Sequence, residues 1–181
     1  MADIKSQKVK SSLMAVYLGV TVDAETYNRV GANCESLTVN LNPTETDYAD
    51  VTMDVTQTDL ESYKVTVEGT GKYAKGDPIY ELFYKLYRGQ IVLDGAKFPL
   101  LIVHRFDDNK ADLYENTTVV LNSINLTGAE SLEVDFKLSC NASPKAGIAT
   151  VTAADDYKTA TFVPDSTDSG ESEGGGQSSI V

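Results

Sequence analysis

The chain has 181 residues, 41% of them hydrophobic, with 27 acidic and 15 basic side chains and a formal charge of −12. That length supports one core and hardly two, and the acidic excess excludes the phosphate-neutralising patches on which nucleic-acid binders depend. No stretch approaches the ~18 apolar residues of a membrane span, and the polar, cationic segment Met1 to Lys10 leads into no signal-peptide run, so the chain is expected to be made in the cytoplasm without membrane anchoring.

In chain order, Leu13 to Val20 is apolar at successive positions and predicts a strand covered on both faces. Three alternating segments follow. Leu37, Val39 and Leu41 interleave with Thr38 and Asn40; Val51, Met53 and Val55 with Thr52, Asp54 and Thr56; Tyr63, Val65 and Val67 with Lys64, Thr66 and Glu68. Period two marks strands with one buried and one wet face. Between the first two, Asn42, Pro43, Thr44, Glu45, Thr46, Asp47, Tyr48, Ala49 and Asp50 form a connector longer than a tight hairpin turn, and such connections are often functional.

One segment departs from period two. From Asp77 to Arg88 the residues Ile79, Leu82, Phe83, Leu86 and Tyr87 follow the spacing of an amphipathic helix. Asp77 can cap it, Pro78 suits its first turn, Glu81 and Lys85 stand one turn apart, and Gly89 can end it. Such a helix must lie against a sheet or plug the end of a barrel. Tyr80 and Tyr84 fall off the main stripe and suit either core packing or an interface.

Phe98 to Val103 again reads as a strand buried on both faces. Asp107, Asp108, Asn109 and Asp112 form an oxygen cluster that lacks calcium-loop spacing and is better explained as a turn. Apolar parity switches between Leu121 and Ile124, which predicts a bulge or a strand passing from one sheet to another. Leu132, Val134, Phe136, Leu138 and Cys140 then alternate cleanly with Glu133, Asp135, Lys137 and Ser139. After Thr152 the pattern stops. Residues 155–181 hold six acids and one base, a net of −5 that leaves −7 on the rest, and the Gly/Ser-rich run from Pro164 predicts a disordered tail. The expected division is a β domain over 1–154 and a flexible acidic tail over 155–181. The expected fold class is mainly β: a sandwich or partly closed barrel flanked by one α-helix, with a disordered C-terminal tail.

Catalytic signatures are missing from the sequence. The single His104 reads as a strand-end residue, since no nucleophile elbow or reactive-cysteine pattern accompanies it. One His and two distant Cys lack zinc-ligand spacing, and Gly69, Gly71 and Gly76 lack a phosphate-loop pattern. Cys34 and Cys140 read as free, mostly buried thiols rather than a disulfide. The sequons at Asn116, Asn125 and Asn141 read as chance in a Thr- and Asn-rich chain. The expectation is a non-enzymatic chain without cofactor or metal.

The stretch Glu61 to Arg88, in which ESYKVTVEGTGKY runs through AKGDP into IYELFYKLYRG, together with the order of strands and helix over residues 10 to 152, resembles the tail tube (major tail protein) family of bacteriophages. The resemblance implies a structural virion protein whose hexameric rings stack into a hollow tail tube that conducts the genome into the host. The implied partners are further copies of itself, tape-measure and tail-tip or terminator proteins, and DNA in non-specific passage. The implied location is the virion tail. Thr52, Asp54, Thr56, Lys64, Thr66, Glu68, Glu133, Asp135 and Lys137 are the implied lumen candidates, and the connector from Asn42 to Asp50 is the implied ring-stacking element. The alternative reading is a β-sandwich binding or adhesion module on a virion or cell surface, for which the sequence shows no anchor.

Overall fold

A computed structural model describes residues 8–48, 57–126 and 132–165. The strands are β1 (Met14–Gly19), β2 (Tyr27–Arg29), β3 (Cys34–Asn40), β4 (Pro43–Tyr48), β5 (Gln57–Tyr63) and β6 (Thr66–Lys72), followed by helix α1 (Pro78–Gly89). Then come β7 (Lys97–His104), β8 (Lys110–Asn125), β9 (Glu133–Cys140), β10 (Lys145–Val151) and β11 (Thr159–Pro164).

Nine strands form one antiparallel sheet in the order β10-β11-β2-β1-β7-β8-β9-β6-β3, and β10 also pairs with β8. That extra pairing, Lys145 opposite Leu113 through Ile148 opposite Lys110, closes six of the strands into a small barrel. The rest of the sheet, formed by the second half of β8 with β9, β6 and β3, stands open beside it. β8 serves both parts because it is 16 residues long.

β1 and β7 are covered on both faces, as their unbroken apolar runs predict. Ala15, Tyr17, Leu101 and Val103 point into the barrel with Ala111, Leu113, Ala149 and Ala160. Val16, Leu18, Leu100 and Ile102 point the other way, into a larger core shared with β6, β9 and α1. Within that core Phe83 packs on Phe136 in a tilted arrangement at 5.2 Å between ring centroids and Tyr73 meets Phe83 edge-on at 5.6 Å. Burying a side chain of this size contributes roughly 1.5–3 kcal/mol. Gly69 lies under Phe136, where an added Cβ would come within 2.9 Å of its ring and of the Ser36 carbonyl.

Helix α1 starts as expected. Asp77 accepts hydrogen bonds from the backbone amides of Ile79 (2.8 Å) and Tyr80 (3.2 Å), and Pro78 occupies the first turn. Three details differ from the sequence reading. Among the described residues Glu81 makes no ion pair with Lys85 and instead accepts from the Gly76 amide at 3.2 Å. The left-handed cap is Gln90, one residue beyond Gly89. Tyr87, expected on the buried stripe, is 57% exposed, because the stripe narrows to Ile79, Leu82, Phe83 and Leu86.

The parity switch in β8 is a register shift between Leu121 and Ser123, so Leu121 and Ile124 both face α1. Asp107, Asp108 and Asn109 of the oxygen cluster lie in the turn joining β7 to β8, with Asp108 and Asn109 left-handed, and Asp112 lies in β8. His104 ends β7 and lies 3.0 Å from Asp112.

Two boundaries move. The strand expected through Tyr63 and Val67 is interrupted at Lys64 and Val65: Tyr63 closes β5, and β6 starts at Thr66. The sheet continues past the boundary expected at 154/155, because β11 pairs with both β10 and β2. Ala160 enters the barrel core, the Tyr157 carbonyl accepts from the Tyr17 hydroxyl at 3.2 Å, and the Arg105 guanidinium covers the Tyr157 ring at 3.8 Å. The remainder of the expected tail, 166–181, lies outside the described residues.

Candidate assembly surfaces

Cross-strand register aligns the polar side chains of the open sheet on one face. Glu68 opposes Lys137, Thr70 opposes Asp135 and Lys72 opposes Glu133 across β6 and β9; Thr38 opposes Glu68 on β3; Asn125 opposes Glu133 on β8. Opposition becomes bonding along this face. Lys137 pairs with Glu68 at 2.7 Å and Lys72 with Glu35 at 2.6 Å. The Thr70 hydroxyl donates to Asp135 at 2.9 Å and the Asn125 amide to Glu133 at 3.1 Å. Four acids, Glu35, Glu68, Glu133 and Asp135, stand against two lysines, so the face is negative. The ion pairs are half exposed and worth little to stability; their effect is to hold the charges in a fixed array.

Of the lumen candidates, Glu68, Glu133, Asp135 and Lys137 come together on this face. Lys64 does not: it lies exposed at the joint between β5 and β6, its backbone bonded to Asn42. Thr66 is only 4% exposed, contrary to the wet position expected for it. It shares the polar side of β6, but the Asn42 amide folds over it and donates to its hydroxyl at 3.0 Å. Thr52, Asp54 and Thr56 lie outside the described residues. Glu35, Thr70 and Lys72 belong to the same face and escaped the sequence reading. A bulge between Cys34 and Ser36 hides the period of Glu35, and Thr70 and Lys72 sit among glycines with no apolar alternation to reveal them.

Among the described residues this open sheet has two unpaired edges. β3 ends the strand order. On β8, pairing with β7 stops at Thr118, so residues 119–125 have β9 on one side and no strand on the other among the described residues. Each edge runs for seven residues, as the length of β3 and that span show. Successive antiparallel pairings from β8 through β9 and β6 to β3 leave the two edges running in opposite directions.

The expected connector from Asn42 is a strand over most of its length. Pro43–Tyr48 pairs with Gln57–Tyr63 as a separate two-stranded ribbon, and Ala49 and Asp50 lie outside the described residues. Side chains tie the ribbon together: Tyr48 donates to Gln57 (2.6 Å), Thr58 to Asp47 (2.6 Å) and Thr46 to Glu61. Such cross-strand pairs let a polar sequence adopt the strand conformation. Every described residue of the ribbon is exposed. Register sorts Pro43, Leu60 and Tyr63 to one side and Thr44, Thr46 and Tyr48 to the other.

At the opposite end of the sheet, an apolar cleft of about 480 Å³ lies between α1 and the ends of β8 and β9. Tyr80 and Tyr84 stack at 5.9 Å along one wall, and Leu121, Ile124 and Leu132 form the other. Tyr84 is 46% and Leu126 82% exposed.

The thiols are shielded from chemistry. Cys140 is buried, accepts from the Thr117 hydroxyl at 3.7 Å, and has its pKa pushed up to about 11 by burial. Cys34 is half-buried, donates to the Val30 carbonyl at 3.0 Å, and is likewise raised by burial. Both stay protonated at neutral pH, the opposite of what a nucleophilic thiol needs.

Barrel, flanking helix and open polar sheet define a β-rich fold with one helix. No protein-family model matches the chain, and no curated protein does. Solved structures do match. One is a chain from the tail of an empty gene transfer agent particle with C6 symmetry: TM-score 0.55 at 10% identity, covering 76% of this chain and 97% of that one. A chain from the virion of a native gene transfer agent particle gives TM-score 0.54 at 10% identity, covering 77% and 98%. The chain therefore shares its fold with these two chains, in agreement with the fold implied by the resemblance drawn from Glu61 to Arg88.

Proposed function

We propose that this chain is the tube subunit of a phage-like tail: six copies close into a ring, rings stack into a hollow tube, and DNA passes through it. The observation that carries this reading is the open polar sheet with two free edges of equal length and opposite direction, on a fold shared with a C6 tail. Rotation about an axis running along the strands brings β3 of one copy antiparallel to residues 119–125 of the next. Pairing there extends the sheet from copy to copy into a closed barrel, and closure satisfies the edge amides and carbonyls.

The polar face then lines the lumen, with Glu68, Glu133, Asp135 and Lys137 on its wall and Thr52, Asp54 and Thr56 as further candidates. Its excess of acids keeps phosphates off the wall, so that moving DNA meets no adhesive site. The role is structural rather than enzymatic. Tape-measure and terminator-type proteins are the expected tail partners, and the virion tail is the expected location.

The test is negative-stain electron microscopy of the purified chain across a concentration series, paired with light scattering for mass. Hollow rings or tubes with sixfold views support the reading. A monomer that also fails to polymerise on a tail-tip template overturns it in favour of a binding module.

A further inference from the structure

A hollow of about 880 Å³ opens at the root of the β4–β5 ribbon. Residues 61–65 line one side of it and residues 141–144 the other, with Tyr114 and Cys140 at its floor. Tyr114 is only 6% exposed, and its hydroxyl makes no hydrogen bond among the described residues. Burial pushes its pKa up to about 12, so the group remains an O–H donor at neutral pH. Polar groups buried this deeply are nearly always paired. Of the two charged residues on the walls, Glu61 accepts from the Thr46 hydroxyl, whereas Lys64 makes no ion pair among the described residues. The hollow therefore offers a donor and a cation, both without a partner.

The sheet topology aims the chain's own C-terminal segment at this hollow. β9 and β10 lie end to end along one side of β8, with Cys140 opposite Thr117 and Lys145 opposite Leu113. Beyond them lie β6, against β9, and β11, against β10. β11 runs from Ala160, opposite Val151, to Pro164, opposite Gly147, and the Asp165 amide carries the ladder on to the Ala146 carbonyl at 3.1 Å. The ladder resumes where the Val65 carbonyl accepts from the Cys140 amide at 3.0 Å. Between those two bonds, no strand among the described residues covers residues 141–145 on the side away from β8. That gap, about 17 Å at most at the rise of a strand, is bordered by the walls of the hollow.

We infer that residues 166–168 of the same chain continue β11 into the hollow, with Ser166 opposite Lys145, Thr167 opposite Pro144 and Asp168 opposite Ser143. Three residues extend about 10 Å, which carries Asp168 from the end of β11 to the groups that lack partners. Its carboxylate is an acceptor for the Tyr114 hydroxyl and a counter-ion for Lys64, and both contacts are charge-assisted. The chain's own segment is favoured over one from a second copy because Asp165 already stands at the mouth of the gap, so entry costs no translational freedom. Seated there, the segment ties β10 to residues 61–65 and braces the root of the ribbon, whose described residues are all exposed. The contact lies within one chain and holds whether or not copies assemble.

The decisive experiment follows the Thr167 amide by hydrogen exchange in the full chain, read by NMR. The continued ladder directs that amide to the Pro144 carbonyl, so it should exchange about tenfold or more slowly than a free-chain amide, equally at high and low protein concentration. Asp168→Lys and Lys64→Glu should each return it toward the free-chain rate, and the two together should restore protection by exchanging the charges. A free-chain rate in the wild-type protein would overturn the inference. Protection that disappears on dilution would assign the hollow to the segment of a second copy and overturn the seat within the chain. Protection that neither substitution weakens would overturn the pairing of Asp168 with Lys64.

Discussion

Replacing Asp77 by alanine should loosen helix α1 and, through it, the wall of the cleft. Its Oδ1 accepts the two amide bonds that cap the helix, and its Oδ2 accepts from the Asn33 side chain at 3.1 Å, tying the helix start to the segment before β3. Loss of the cap costs about 1 kcal/mol and loss of the Asn33 bond roughly another 0.5–1. A total near 2 kcal/mol in a chain of this size lowers Tm by roughly 4–8 °C. Thermal melts and urea titrations followed by circular dichroism measure it directly. Asp77→Ser restores the cap but not the bond to Asn33, so it should recover about half the loss. A drop of under ~2 °C for alanine, or no recovery with serine, would refute the attribution to capping.

Alkaline pH should destabilise the fold through Cys140. Its folded pKa of about 11 exceeds its unfolded value of 9.0, so the stabilisation is complete below pH 9 and disappears as pH rises toward 11. About 1.4 kcal/mol per unit gives a loss of roughly 2–3 kcal/mol; urea midpoints between pH 8 and 10.5 should fall, less steeply in Cys140→Ala. Gly69→Ala drives a methyl group toward Phe136 and the Ser36 carbonyl and should lower stability by about 1–3 kcal/mol in the same assay. Glu133→Lys with Asp135→Lys places cations on the proposed lumen wall. DNA delivery by particles carrying them should fall at low salt and recover as salt rises; unchanged delivery would remove the lumen assignment.

Much of this architecture is legible in the sequence because single faces are strongly patterned. β9 shows strict alternation, α1 carries its cap and stripe within twelve residues, and the bulge in β8 is visible as a change of parity. What stays hidden depends on partners distant in the chain. Thr66 has the polarity of a surface residue and is covered by Asn42, 24 residues earlier. β4 contains almost no apolar residue, so its strand conformation follows from cross-strand bonds to β5 that composition does not announce. β11 carries Ala160 and Phe162 at alternate positions, but beside the acidic run that pattern is too short to stand out, and pairing with β10 and β2 decides it. The cleft needs Tyr84 and Ile124 from separate elements and has no linear signature.

The closing pair between β8 and β10 bears on which assemblies the chain can form. Without it, the nine-stranded sheet would end in two bare edges, β10 and β3, and any exposed edge recruits strands indiscriminately. Pairing β10 with Lys110–Leu113 occupies that edge, while β8, being longer than the barrel needs, continues past its last bond to β7 at Thr118 and exposes residues 119–125 instead. The free edges are thereby moved onto one short sheet, matched in length and opposed in direction. Two such edges on one rigid sheet satisfy each other head to tail, and the contact ends in a ring rather than an open row where the rotation from copy to copy closes. Cutting the barrel pairing should therefore harm assembly more than stability. Ala146→Pro, at a barrel residue exposed to solvent, should convert ordered rings into irregular aggregates while most of the far-UV signal remains; intact rings would show that closure of the barrel has no part in selecting the ring.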